Sequence, residues 1–183
     1  MAQQYSEISE KIKEFIIRQK IFFVGTAAEA SKVNISPKGM DSFRVINKNR
    51  VVWLNATGSG NETSAHVQKN PRMTIMFAAF EGKPMILRLY GKAKVIHKND
   101  PEWESLISLF SPIPASRQIF DVNIELVQTS CGMAVPFFDY VAEREQLNDL
   151  HRKIGDKRVI EYWENNNQYS LDGIPTYIMS KNT

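Results

Sequence analysis

The 183-residue sequence predicts a mainly β protein: an antiparallel sheet curled into a small closed or split barrel, flanked by helices and followed by a C-terminal helical appendage. Three observations predict it. Short runs rich in β-branched and aromatic residues follow one another from residue 21 to residue 96, separated by turn residues. Most connections between them are too short for a parallel crossover, so neighbouring strands pair antiparallel, and curling the sheet removes its exposed edges. Helical periodicity is confined to the two ends and to brief interruptions.

Residues 6–19 predict a short amphipathic helix, with Ser6 as N-cap and Ile8, Ile12, Phe15 and Ile16 on one face. Strands are expected at Ile21–Ala27, Lys32–Ile35, Phe43–Ile46, Arg50–Leu54, Arg72–Phe80 and Met85–Ile96. Asn47-Lys48-Asn49 and Glu81-Gly82-Lys83-Pro84 read as hairpin turns. Asp100-Pro101-Glu102 opens a helix through Trp103, Leu106, Ile107 and Phe110, which Ser111-Pro112-Ile113-Pro114 stops. Residues 119–130 alternate as one more strand. Helical spacing returns over 143–166 through Leu147, Leu150 and Ile154, breaks at Gly155, and resumes at Val159, Ile160 and Trp163. No repeat or low-complexity linker divides the chain. Residues 1–183 therefore read as one domain, with the barrel at about 20–130 and the helical region at about 140–168.

Apolar residues make up 43% and charged residues 23%, close to soluble globular averages, which excludes a disordered chain. The 23 basic residues against 20 acidic ones are too weak a bias for a nucleic-acid protein. Single-strand binding would need exposed aromatics along a basic track, whereas Phe22, Phe23, Trp53 and Phe77 read as core. The longest apolar runs are far shorter than the ~20 residues of a bilayer span, and the acidic N-terminus is unlike a signal peptide. The lone Cys131 fits a reducing compartment. A soluble cytoplasmic protein with neither membrane nor nucleic-acid partner is expected.

The segment that carries chemistry runs from Trp53 to Val67. A strand enters a loop rich in glycine and hydroxyls, Asn55-Ala56-Thr57-Gly58-Ser59-Gly60, and a helix of about two turns begins near Asn61-Glu62-Thr63. Backbone N–H groups in such a loop and at a helix start favour an anion, which suits a phosphate; a plain capped turn, with glycine supplying positive φ, accounts for the same residues. Gly58-Ser59-Gly60 imitates a dinucleotide fingerprint, but Thr63 stands at the third glycine position and hairpins surround the loop, so a Rossmann unit is rejected. Upstream, Ser36-Pro37-Lys38-Gly39 leaves a strand at a turn where Lys38 can reach a ligand, and Arg44 follows. Lys32, Lys48 and Arg50 read as a solvated basic face. Arg88 lies mid-strand, pointing away from Leu87 and Leu89 toward solvent, the barrel mouth or a ligand. His66, His97 and His151 show no metal-ligand spacing to one another or to Cys131, so no metal is expected. His66 reads as a surface or cap residue and Cys131 as a buried structural thiol rather than a nucleophile.

Ser36-Pro37-Lys38, the strand ending Trp53-Leu54-Asn55, the Gly/hydroxyl loop with its short helix, Asn70-Pro71-Arg72 opening a strand, and Leu87-Arg88-Leu89-Tyr90-Gly91-Lys92-Ala93 occur in an order that resembles the pyridoxamine 5′-phosphate oxidase-like family of split-barrel flavoproteins. The likeness covers about residues 10–100. It extends over most of the chain in a subgroup sharing Thr57–Thr63, Phe80-Glu81-Gly82, Ser130–Pro136 and Ser170–Pro175. The resemblance implies a homodimer binding FMN between its subunits. Ser36, Pro37, Lys38 and Gly39, then Asn55, Ala56, Thr57, Gly58 and Ser59, then Gly60, Asn61, Glu62 and Thr63 match the segments that hold flavin ring, ribityl chain and phosphate. The oxidases carry an Arg-Lys pair where this chain has Glu62 and Thr63, and their closing C-terminal Trp- and Arg-containing strand is not recognisable. Both departures argue against pyridoxamine phosphate oxidation; loop N–H groups, Thr63 and a basic residue such as Lys38 or Arg44 are left to replace the clamp, and Arg88 is a separate cofactor-binding candidate.

The expected function is an FMN-dependent oxidoreductase acting on a small molecule, with NAD(P)H as candidate electron donor. The flavin supplies the redox chemistry, so no catalytic triad is required. The alternatives are a non-enzymatic flavin or haem carrier or sensor, and a deazaflavin-dependent reductase on the same barrel.

Overall fold

A computed structural model describes residues 2–183. In chain order the elements are β1 (Gln3–Tyr5), α1 (Glu10–Arg18), β2 (Phe22–Thr26), β3 (Asn34–Lys38), β4 (Phe43–Asn47), β5 (Arg50–Ala56), α2 (Glu62–Lys69), β6 (Arg72–Ala78), β7 (Ile86–Ile96), α3 (Trp103–Ile107), β8 (Ser116–Ser130), α4 (Gln146–Asn166) and α5 (Ile178–Asn182). The eight strands form an antiparallel sheet in the order β3-β2-β6-β7-β8-β5-β4. β1 pairs with β8 at Val127–Thr129, beyond the stretch of β8 that β5 occupies.

The sheet is open, with β3 and β4 as its two ends, yet it curls until β4 meets β2 and β6 through side chains. Phe22 of β2 and Phe77 of β6 lie 5.0 and 5.2 Å from the Phe43 ring of β4, both close to edge-on. Aromatic contact thus stands where a ladder of hydrogen bonds would close a full barrel. This is the antiparallel split barrel the sequence predicts. Its interior is filled by Val24, Trp53, Ile75, Phe77, Leu87, Leu89, Phe120 and Val122, and α1 plugs it with Ile12, Phe15 and Ile16. A second cluster packs Trp103, Leu106 and Phe110 from the α3 region on Val52, Leu54, Ile96 and Ile119.

The elements agree with expectation except at their ends; β3 runs Asn34–Lys38, so Ser36, Pro37 and Lys38, expected at a turn beyond the strand, pair with Val24, Phe23 and Phe22 within it. α1 starts later than predicted because Ser9, not Ser6, is the cap, its hydroxyl accepting from Ile12 N. The three-residue β1 and the five-residue α5 are too short to show a period and were not anticipated. α4 breaks where expected, at Gly155, whose φ is 72°.

The turn joining β3 to β4 spans the split. Met40 and Asp41 both adopt left-handed φ values, 65° and 50°, which side chains rarely tolerate without support. Ser42 Oγ donates to Gly39 O at 2.6 Å, and Arg44 grips Asp41 through two side-chain bonds and the backbone oxygen. Among the described residues no helix is long and apolar enough to cross a membrane.

Candidate functional site

β5 ends in a bulge. Asn55 pairs with Gln118 but Ala56 pairs with Ser116, so Arg117 is the extra residue on β8. A bulge re-aims a side chain, and here Arg117 and Gln118 are both buried instead of alternating. Arg117 turns into the loop that follows β5. Its Nη2 donates to Gly60 O at 2.7 Å and its Nη1 to Asn167 Oδ1 at 2.6 Å, while its buried Nε has no hydrogen-bond partner among the described residues.

The C-terminal region covers this loop. Trp163 Nε1 donates to Thr57 Oγ1, Thr57 Oγ1 donates to Ala115 O, Asn167 Nδ2 donates to Gly58 O, and Asn61 Nδ2 donates to Asn167 O. Glu62 lies beside Gly60, its Oε1 3.7 Å from where a Cβ would stand there, and its carboxylate accepts from Leu171 N at 3.0 Å. Thr63 Oγ1 accepts from Asn34 Nδ2 at 3.1 Å, tying α2 to β3. Asn34, Ser36 and Lys38 alternate with the exposed Ile35 and Pro37, so they share the face of β3 turned toward α2 and its loop.

Lys38 reaches furthest inward. Its ammonium lies 5.3 Å from the Trp53 ring centroid. Burial, and then the charge of Arg117, lower its pKa from the ordinary lysine value to about 8. Burial also lowers Arg117, although a guanidinium keeps its proton at neutral pH. Neither cation has a carboxylate partner among the described residues. Three further buried polar atoms, Ser36 Oγ, Trp53 Nε1 and Asn61 Oδ1, have no hydrogen-bond partner among the described residues. Buried polar groups are ordinarily paired, so each of these atoms is available to a polar ligand. Two buried cations without a carboxylate partner suit an anionic ligand.

On its other side Lys38 faces a groove of about 1810 Å³, shared with Phe23, Pro37, Gly39, Met40, Phe80 and Tyr140. Of the residues read from the sequence, Pro37, Lys38 and Gly39 line this groove; Ser36 and Asn55–Thr63 lie on the polar side. Asn55 donates to Gln118 Oε1, which places it in the buried polar row with His97. Ser59 makes no side-chain bond among the described residues and Ala56 ends its strand. Arg44 is corrected: its guanidinium is committed to Asp41, to Leu109 O and to the Phe110 ring, so it braces the turn and is not free for a phosphate. Arg88 donates to Ser130 Oγ at 3.3 Å, away from the loop.

Other expectations are overturned. His66 is fully buried rather than on the surface, because α2 is packed on several sides. Cys131 is exposed rather than buried, since it follows the end of β8 at the surface. Phe23 is half-buried and lines the groove instead of the core. Arg117 was missed because it precedes the alternating run that marks the strand. Its only sequence signal is an isolated Arg-Gln before Ile119-Phe120.

A curled open antiparallel sheet with a helix-capped polar loop at one strand end defines a split barrel. The family model for pyridoxamine 5′-phosphate oxidase matches residues 8–131. A pyridoxamine 5′-phosphate oxidase family protein of Aspergillus flavus, ustO, is 32% identical over 93% of this chain and 76% of its own length. The chain belongs to the pyridoxamine 5′-phosphate oxidase family. The fold is shared with solved structures of low identity. HupZ of Group A Streptococcus is 17% identical with a TM-score of 0.53, over 67% of this chain and 99% of that one. A Clostridium acetobutylicum protein related to general stress protein 26 is also 17% identical with a TM-score of 0.53, over 67% and 87%.

Proposed function

We propose that the protein binds FMN and acts as a flavin-dependent oxidoreductase on a small molecule. The observation that supports this most is the pair of buried cations Lys38 and Arg117, within electrostatic reach of each other and without a carboxylate partner among the described residues, of which Arg117 grips the Gly/hydroxyl loop after β5. Lys38 stands on the wall between this polar pocket and the groove, so it is placed to meet the phosphate of a ligand whose planar part occupies the groove. Arg117 holds Gly60 and Asn167, fixing the loop and adding positive charge beside it. Bound flavin would supply hydride chemistry; the chain's residues bind, orient and exclude water.

None of the three histidines lines the groove, so imidazole ligation of a haem iron there has no donor, which favours flavin over the haem-carrier alternative. A homodimer belongs to the same reading. It is supported by exposed apolar side chains beyond β8, with Met133 80%, Phe137 78% and Val141 91% exposed. Glu62 and Thr63 in place of the basic pair argue that pyridoxamine phosphate is not the substrate.

The absorbance spectrum of the freshly purified protein tests the proposal. Flavin bands at about one FMN per chain, bleached by NAD(P)H and restored by an acceptor, are expected; a protein that neither retains nor takes up flavin overturns it. A deazaflavin would announce itself by a spectrum shifted to shorter wavelength, and bleaching without turnover would indicate a carrier.

A further inference from the structure

Next to the polar loop, α2 and the Ser170–Gly173 turn bring together Glu62, His66 and Asp172, each offering a ligand atom within 4.8 Å of the others. The imidazole is the independent sign that something belongs there. His66 is fully buried, its Nδ1 is bonded to Thr26 Oγ1 at 3.2 Å, and its Nε2 points at Glu62 Oε2, 3.9 Å away, with no hydrogen-bond partner among the described residues. A ring nitrogen fixed by a second group while the other faces carboxylates is the usual arrangement of a metal-binding histidine.

We propose that Glu62, His66 and Asp172 bind a divalent first-row transition metal ion. One imidazole and two carboxylates suit Zn²⁺ or its neighbours better than Mg²⁺ or Ca²⁺, which take oxygen ligands. The donors of a tetrahedral ion with bonds of ~2.0–2.2 Å lie roughly 3.4 Å apart, so small side-chain rotations close the set. Lys32 is the group that answers the charge without metal, its Nζ 2.7 Å from Asp172 Oδ1. Its side chain is 74% exposed and can swing into solvent, while the backbone N–H groups of Lys32 and Leu171 keep orienting Asp172 and Glu62. The ion would clip the start of α2 to the turn whose Leu171 N–H already donates to Glu62. The sequence concealed the site because only Glu62 and His66 are close in sequence, at a single helical turn, while Asp172 comes from the far end of the chain.

The test is a Zn²⁺ titration of chelator-stripped full-length protein against a chromophoric competitor, with Co²⁺ absorption as a second readout. Wild type should take up one Zn²⁺ per chain with a rise in Tm. Asp172→Asn and His66→Gln should each weaken it at least tenfold and abolish the Co²⁺ bands, and Lys32→Met should tighten it. His66 is buried and its variant is at risk of misfolding; Asp172 lies at a turn, so its variant keeps the test decisive. No stoichiometric uptake by wild type, or equal uptake by folded Asp172→Asn, overturns the proposal.

Discussion

The indole N–H of Trp163 donates to Thr57 Oγ1 across 2.7 Å, and both side chains are buried. This single bond makes α4 a structural part of the loop after β5, because Thr57 passes the connection on to Ala115 O, also at 2.7 Å. Trp163→Phe leaves the Thr57 hydroxyl short of a donor and should cost about 1–3 kcal/mol, read as a lower urea midpoint. In a double-mutant cycle with Thr57→Val the pair should show a coupling of about 1 kcal/mol. Additive single effects would mean that α4 merely rests on the loop.

Lys38 sets a pH dependence. Burial, assisted by Arg117, lowers its pKa to about 8, so free protein loses this charge as pH rises through that value. The affinity for FMN should therefore fall above pH 8, by up to tenfold per pH unit, while riboflavin binding stays level. In Lys38→Met the difference between the two pH profiles should vanish. Titrations at several pH values from 7 to 10 check both statements.

His97 makes the fold acid-sensitive. Burial, and secondly the charge of Lys181, hold its pKa at about 4 instead of the ordinary 6.5. The unfolded chain therefore takes up this proton near pH 6.5 and the folded chain only near pH 4. Stability is intact above 6.5 and falls between these values, by about 3 kcal/mol in all. His97→Gln should flatten that part of the stability–pH curve, measured by denaturant unfolding.

Gly91 tests the sheet. It sits opposite the β8 bulge at Glu125, where an added Cβ would meet Asn123 O at 2.1 Å, far inside any real contact. Because the obstacle is backbone, Gly91→Ala should destabilise by about 3 kcal/mol, as a drop in Tm. A variant as stable as wild type would mean that β7 and β8 separate more easily than their register implies.

The barrel was legible because its strands are long relative to their connections and alternate in burial. Leu87, Leu89 and Phe77 lie inside as the pattern requires. The loop after β5 was legible for the same local reason, since glycines and hydroxyls announce themselves in a row. What sequence could not show is what the fold adds from elsewhere. Arg117 acts through a bulge that breaks alternation, Trp163 and Asn167 come from a helix whose period says nothing about its docking site, and Arg44 looks free until the left-handed Asp41 is seen beside it. His66 was misjudged because a short polar helix reads as solvent-facing, whereas α2 is buried along Thr63–Val67.

The central claim is that Lys38 and the Arg117-braced loop hold the phosphate of a flavin. It is tested most directly by measuring FMN and riboflavin affinities side by side at pH 7, on wild type and on Lys38→Met. A charge-assisted bond contributes about 1.5–3 kcal/mol, or one to two decades in affinity. Wild type should therefore bind FMN at least tenfold tighter than riboflavin, and Lys38→Met should lose most of that preference while riboflavin binding hardly changes. Equal affinity of wild type for the two flavins would contradict the account.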